Sequence, residues 1–158
     1  MASQESYLKY FSKVDRAIAG WMYRYGRFVL RMSLVVIFVW FGALKLVNIS
    51  PANDLIAHTV YWMDPKVFIP ILGWWEVLIG VCLLFKTLVR TAIFLLFLQM
   101  CGTVLPLFIL PDVCFVSIPF GLTLEGQYIV KNLVLISAAL VIGGTVRGEE
   151  KRDKGVWV

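Results

Sequence analysis

The sequence predicts an all-α protein, an integral membrane four-helix bundle with an N-terminal interfacial amphipathic helix, and three observations carry that expectation. Hydrophobic residues make up 60% of the 158 positions and charged residues only 16%. With a mean hydropathy of +0.83, the chain is too apolar for a domain whose whole surface meets water. Four apolar stretches, 28–47, 67–85, 91–110 and 128–146, each approach the roughly 20 residues that a spanning helix needs. Finally, twelve of the fifteen lysines and arginines lie before residue 32, in the turn 86–90, or after residue 146. The positive-inside rule places those three regions and both termini in the cytoplasm. Loops 48–66 and 111–127, which carry Asp54, Asp64, Asp112 and Glu125, then face the other side. The net charge of +5 is accounted for by topology, and nucleic acid is not an expected partner.

Residues 1–27 contain no continuous apolar run of the kind a cleavable signal requires. Leu8, Phe11, Val14, Ile18, Trp21 and Tyr25 recur at spacings of three and four, with Lys9, Lys13, Arg16 and Arg24 between them. That pattern suits a helix lying on an anionic leaflet or packing against a partner subunit. The expected organisation is therefore a cytoplasmic-face amphipathic segment over 1–27, a transmembrane domain over 28–147, and a charged cytoplasmic tail over 148–158.

Each span has one face that is smaller or more polar than the rest. The faces hold Gly42 and Lys45 on the first span, and Gly73, Glu76 and Gly80 on the second. On the third they hold Gln99, Gly102, Thr103 and Pro106, and on the fourth Tyr128, Lys131, Asn132 and Ala139. Small residues let membrane helices approach closely and polar ones bond across the interface, so these faces are expected to meet inside the bundle. Glu76 lies near mid-membrane, where an ionised carboxylate costs at least ~2.5 kcal/mol unless it faces protein and finds a partner. Counting 1.5 Å per residue from the outer span ends puts Glu76 and Gln99 deepest, Thr103 above them, and Lys131 and Lys45 shallowest. Both lysines are within reach through their stems; Lys131 is the expected partner, because Asn132 beside it adds a donor in the same space.

In the loop after the first span, Asp54 is placed to cap a short helix, while Tyr61 and Trp62 suit the interfacial aromatic belt. His58 is the only histidine, too few for a bis-histidine haem or an ordinary metal centre, and reads as an interfacial side chain. Cys82, Cys101 and Cys114 form no Cys-x-x-Cys and read as buried free thiols. Trp75, beside Glu76, supplies an aromatic wall to any pocket there.

The runs Phe41-Gly42-Ala43-Leu44-Lys45, Gly73-Trp74-Trp75-Glu76-Val77-Leu78-Ile79-Gly80 and Leu124-Glu125-Gly126-Gln127-Tyr128-Ile129-Val130-Lys131-Asn132-Leu133 resemble motifs of the DoxX-like family of small four-helix membrane proteins. The resemblance covers about 27–147. It implies a multi-pass protein of the bacterial cytoplasmic membrane, with members linked to quinone-coupled sulfur-compound oxidation and to redox stress. Lys45, Glu76, Lys131 and Asn132 match the family's polar motifs, whereas a paired-cysteine motif is missing.

Three functions follow in order of preference. In the first, a quinone-linked redox protein or redox-complex subunit, Glu76 and Lys131 handle protons while Lys45, Trp75, Gln99, Thr103, Tyr128 and Asn132 line the ligand site. No haem, flavin, iron–sulfur or copper motif is visible in the sequence, so a protein partner or diffusible reductant would supply the electrons. The second is a non-enzymatic membrane subunit or assembly factor, with the polar cluster as a structural clasp and membrane lipid, a partner subunit or further copies of the chain as its contacts. The third, a small transporter, is disfavoured by the lack of paired broken helices. The charge asymmetry makes a direct prediction about orientation. In a background lacking the native cysteines, a cysteine at position 54 should react with an impermeant maleimide from outside. Cysteines at positions 5 and 154 should react only once the inner face is opened, and the reverse pattern would invert the topology.

Overall fold

In the computed structural model the backbone is described over residues 2–153 and the side chains over 12–144. Four helices long and apolar enough to span a membrane cross in alternating directions. Helix α1 (Ala2–Leu46) packs most extensively on α3 (Pro65–Leu84); α4 (Val89–Val104) lies beside α3; and α7 (Leu124–Asp153) closes the ring against α4 and α1. The expected tail 148–158, and Leu8, Lys9 and Phe11 of the amphipathic pattern, lie outside the residues whose side chains are described.

The boundary expected at residue 27 falls inside an unbroken helix. No proline or cap interrupts the chain there, and Gly20 and Gly26 each weaken a helix interior by only about 1 kcal/mol. The 45 residues of α1 extend roughly 68 Å, about twice the hydrocarbon thickness. The helix stops where Asn48 takes φ 59°. There the amide of Ile49 donates to the Leu44 carbonyl at 3.0 Å and that of Asn48 to Lys45 at 3.1 Å, a Schellman closure with asparagine in the left-handed position. Its effect is to hold Lys45 in the last ordered turn of the helix.

The loop that follows contains a short helix α2 (Asn53–Thr59). Its N-cap is Ala52 with no side-chain cap bond, and Asp54 sits within the first turn. The expected capping role of Asp54 is thus corrected; the carboxylate still lies at the favourable end of the helix dipole. Asp64 caps α3 instead, accepting from the amide of Lys66 at 2.9 Å, with Pro65 in the first turn.

The third span is also not one rod. Pro106 follows the end of α4, and the chain continues as the short helices α5 (Pro106–Ile109) and α6 (Pro111–Cys114), because proline cannot continue the backbone ladder. A small antiparallel hairpin, β1 (Phe115–Ser117) with β2 (Gly121–Leu122), then leads into α7. No strand was expected from the sequence, since apolar runs this short carry no period.

Between α1 and α3 the backbones touch. A Cβ on Gly42 would lie 2.6 Å from the Gly73 carbonyl oxygen, one on Gly73 2.9 Å from that of Gly42, and one on Gly80 2.6 Å from Val39 Cγ2. At the opposite end, the Arg31 guanidinium donates to the Leu84 carbonyl at 3.5 Å, at the C-terminus of α3. The dry core is built around Leu34, Phe38, Ile79, Leu83, Leu96 and Ile142 and fills the half of the bundle nearer that end. The expected convergence of small and polar faces holds best where α1 meets α3.

Gly42→Ala should therefore force the two helices apart and cost about 1–3 kcal/mol, the range for overpacking a tight site. Gly102→Ala meets nothing within 4 Å and should leave stability within ~0.5 kcal/mol. Thermal unfolding of both proteins in one detergent compares them, and equal losses would remove the glycine contact as the organising feature.

Candidate functional site

The half of the bundle nearer the loops is hollow. A cavity of about 560 Å³ lies between α1, α3, α4 and α7, and α2 and α5 lie across its loop end. Its walls are mainly aliphatic and aromatic. Every residue expected at the site lines it: Lys45, Trp75, Glu76, Gln99, Thr103, Tyr128, Lys131 and Asn132.

At its base Lys45 Nζ donates to Glu76 Oε2 at 2.7 Å, in an ion pair whose residues are 3% and 7% exposed. Gln99 Nε2 donates to Glu76 Oε1, also at 2.7 Å. Both carboxylate oxygens are therefore satisfied by charge-assisted bonds, as a carboxylate at this depth requires. Lys131, the expected partner, is exposed at the cavity wall and has no ion-pair partner among the described residues.

The direction in which side chains lean corrects that expectation. Side chains on a helix tilt toward its N-terminus. Lys45 near the end of α1 thus leans inward, and Glu76 on the oppositely running α3 leans outward, so their stems converge across the Gly42–Gly73 contact. Lys131 lies in the second turn of α7, whose N-terminus faces the loops, and leans away from Glu76. Depth alone cannot distinguish these cases.

The remaining polar groups divide into two sets. Trp75 Nε1 donates to the Leu95 carbonyl at 3.3 Å, tying α3 to α4, and Thr103 Oγ1 donates to Met100 O at 3.0 Å. Since the carboxylate can only accept, the Gln99 amide must turn its nitrogen to Glu76. Its carbonyl Oε1 is then buried without a partner. An orphaned acceptor in an apolar wall costs about 1–3 kcal/mol until a donor reaches it. On α7, Tyr128, Lys131 and Asn132 line the wall at helical spacing, and their side chains make no protein hydrogen bond among the described residues. The cavity thus has an acceptor on α4 and a donor set on α7.

Sequence reasoning missed the contribution of the first loop. Leu55, Ile56, Thr59 and Val60 of α2 and its C-cap line the cavity, and so does Trp62. The apolar spacing of Leu55, Ile56, Thr59 and Val60 was the available sign. His58 is exposed, with Nδ1 2.6 Å from the Asp54 carbonyl oxygen, and takes no part. Among the described residues no three His, Cys, Asp or Glu side chains converge as a metal-ligand set. The three cysteines are free and separate. Cys101 is exposed rather than buried as expected, because its position on α4 faces away from the bundle. Cys114 is buried beneath the hairpin, and burial, with a smaller effect from Glu125, pushes its thiol above the ordinary range.

Residues 26–109 match the family described as DoxX. That stretch includes the Lys45 and Glu76 motifs and ends before the α7 motif with Lys131 and Asn132. No curated protein and no solved structure matches the chain.

Removing the carboxylate should leave the buried Lys45 ammonium without a counter-charge. Glu76→Gln is expected to cost about 3–5 kcal/mol, as breaking a buried pair commonly does. Adding Lys45→Met should recover most of that loss, whereas Lys131→Met alone should shift stability by less than about 1 kcal/mol. Unfolding midpoints of these three proteins, and of Glu76→Gln combined with Lys131→Met, test the assignment, and rescue by Lys131→Met in place of Lys45→Met would reverse it.

Proposed function

Because the chain belongs to the DoxX family of membrane proteins, we propose that it is a quinone-linked redox protein or redox-complex subunit whose cavity holds the ring of a membrane quinone. The observation that carries this reading is the combination in one hollow of apolar and aromatic walls, an orphaned acceptor on one side and unpaired donors on the other. The volume lies within the roughly 300–1,000 Å³ usual for small-molecule sites. With the basic ends in the cytoplasm of a bacterial inner membrane, the cavity occupies the outer half of the bilayer.

The donor and acceptor sets fit the two forms of such a ring. Lys131, Asn132 and Tyr128 donate to a ring carbonyl, and Gln99 Oε1 accepts from a ring hydroxyl. A bound quinone accepts two electrons and two protons overall. The electrons come from a protein partner or a diffusible reductant. Lys131, nearer the headgroups than Glu76, is placed to pass protons between the donor set and water. Glu76 orients Gln99 through the 2.7 Å bond, which fixes the amide with its carbonyl free.

A second reading has one observation in its favour. Both oxygens of Glu76 are already occupied within the protein, as a purely structural clasp requires, and the chain would then act as a non-enzymatic subunit or assembly factor.

Purification in mild detergent, with extraction and mass analysis of bound quinones and co-purifying proteins, separates the two. The natural sequence should retain quinone. Lys131→Met with Asn132→Leu should weaken retention about tenfold or more, since each lost hydrogen bond contributes ~0.5–1.5 kcal/mol and 1.4 kcal/mol is tenfold. Its unfolding midpoint should change little. A stoichiometric protein partner with no quinone in any preparation would replace this proposal with the subunit reading.

A further inference from the structure

The β1–β2 hairpin lies outside the cavity and outside every span, yet its tip carries Phe120, the most exposed large apolar side chain among the described residues. Phe120 is 93% exposed, Val116 80% and Ile118 72%. From Val113 to Leu124 there is no charged residue, while Asp112 and Glu125 bracket the segment. Contiguous apolar surface of this kind marks a contact with another phase or another protein.

The hairpin is firmly mounted. The Thr123 amide donates to the Cys114 carbonyl at 3.1 Å, its hydroxyl to the Val113 carbonyl at 2.7 Å, and the Gly126 amide to that hydroxyl at 3.2 Å. A Cβ at Gly126 would run into the Cys114 carbonyl oxygen, so only glycine lets the hairpin base sit this close to α7. Inward-facing Phe115 and Leu122 pair across the strands, leaving the tip residues outside.

We propose that this hairpin is a lipid-inserting prong that seats Val116, Ile118 and Phe120 in the leaflet at the loop end of the bundle. Depth selects lipid as the occupant. The hairpin ends two residues before the span Leu124–Gly144 begins and starts six residues after the span Lys86–Ile109 ends, so both flanks hold it at the bilayer boundary. Phe108 before it and Leu124 after it are themselves exposed residues of those spans, 80% and 81%, so the chain enters and leaves the hairpin through apolar side chains that face outward. The exposed Tyr61 and Trp62 lie at the same end of the bundle, as an interfacial aromatic belt requires. No charge in the tip offers a protein partner a directing contact.

The test places a photoreactive residue at the tip of the full chain, Phe120→p-benzoylphenylalanine, with Asp112→p-benzoylphenylalanine as the water-facing reference. Neither side chain is buried, so the fold is undisturbed. After irradiation in phosphatidylcholine vesicles, the position 120 protein should carry a phospholipid adduct at several times the yield of the position 112 protein. In native membranes lipid should again be the main adduct. Equal low yields at both positions would show that the tip faces water, and a dominant adduct to a second copy or to another protein would show that protein covers it; either result overturns the proposal.

Discussion

The Lys45–Glu76 ion pair is the constraint to which the rest of the bundle answers. Two opposite charges withdrawn from water are tolerated only if their geometry is close and every remaining lone pair is occupied. Close geometry needs α1 and α3 nearly in backbone contact, which Gly42 and Gly73 alone permit at the crossing. Occupancy needs a third helix, and Gln99 of α4 donates to the second carboxylate oxygen. One buried acid thus fixes the spacing of one helix pair and the rotation of a third helix.

Stability and vacancy are divided along the bundle axis. The half nearer the basic ends holds the packed core of Leu34, Phe38, Ile79, Leu83 and Leu96, and the half nearer the loops holds the cavity. A hollow of this size would be costly in a soluble domain of this length, because each cavity wall forgoes contacts that packing would supply. Here the ion pair closes the base of the hollow, and α2 with α5 lies over its loop end. The polar groups that face the space stand on long helices, so their positions do not depend on loop conformation.

The asymmetry of hydrogen bonding gives the cavity its chemical character. Glu76 is satisfied, and by turning the Gln99 nitrogen toward itself it leaves the Gln99 carbonyl without a donor. The donors of α7 have no protein acceptor among the described residues. A bipolar site of this kind is a property of three helices together. No single helix contains both halves of it.

Much of this was legible in the amino-acid order. Hydropathy and span length specify a four-helix membrane bundle because a bilayer demands about twenty apolar residues per crossing, whatever the tertiary contacts. Helical periodicity places Lys45, Glu76, Gln99, Lys131 and Asn132 on inward faces, because spacings of three and four map directly to one side of a helix. Depth and face do not specify which lysine meets Glu76. That choice belonged to the tertiary structure, since it depends on the antiparallel crossing of α1 and α3 and on the lean of each side chain toward its own helix's N-terminus. The unbroken length of α1 and the hairpin before α7 were likewise decided by packing and backbone closure, whereas the break at Pro106 follows from the missing amide proton of proline and was open to a closer reading of the sequence. The linear pattern therefore determined which polar groups enter the membrane interior, and only the relative rotation and direction of the helices decided how they pair and what space they leave between them.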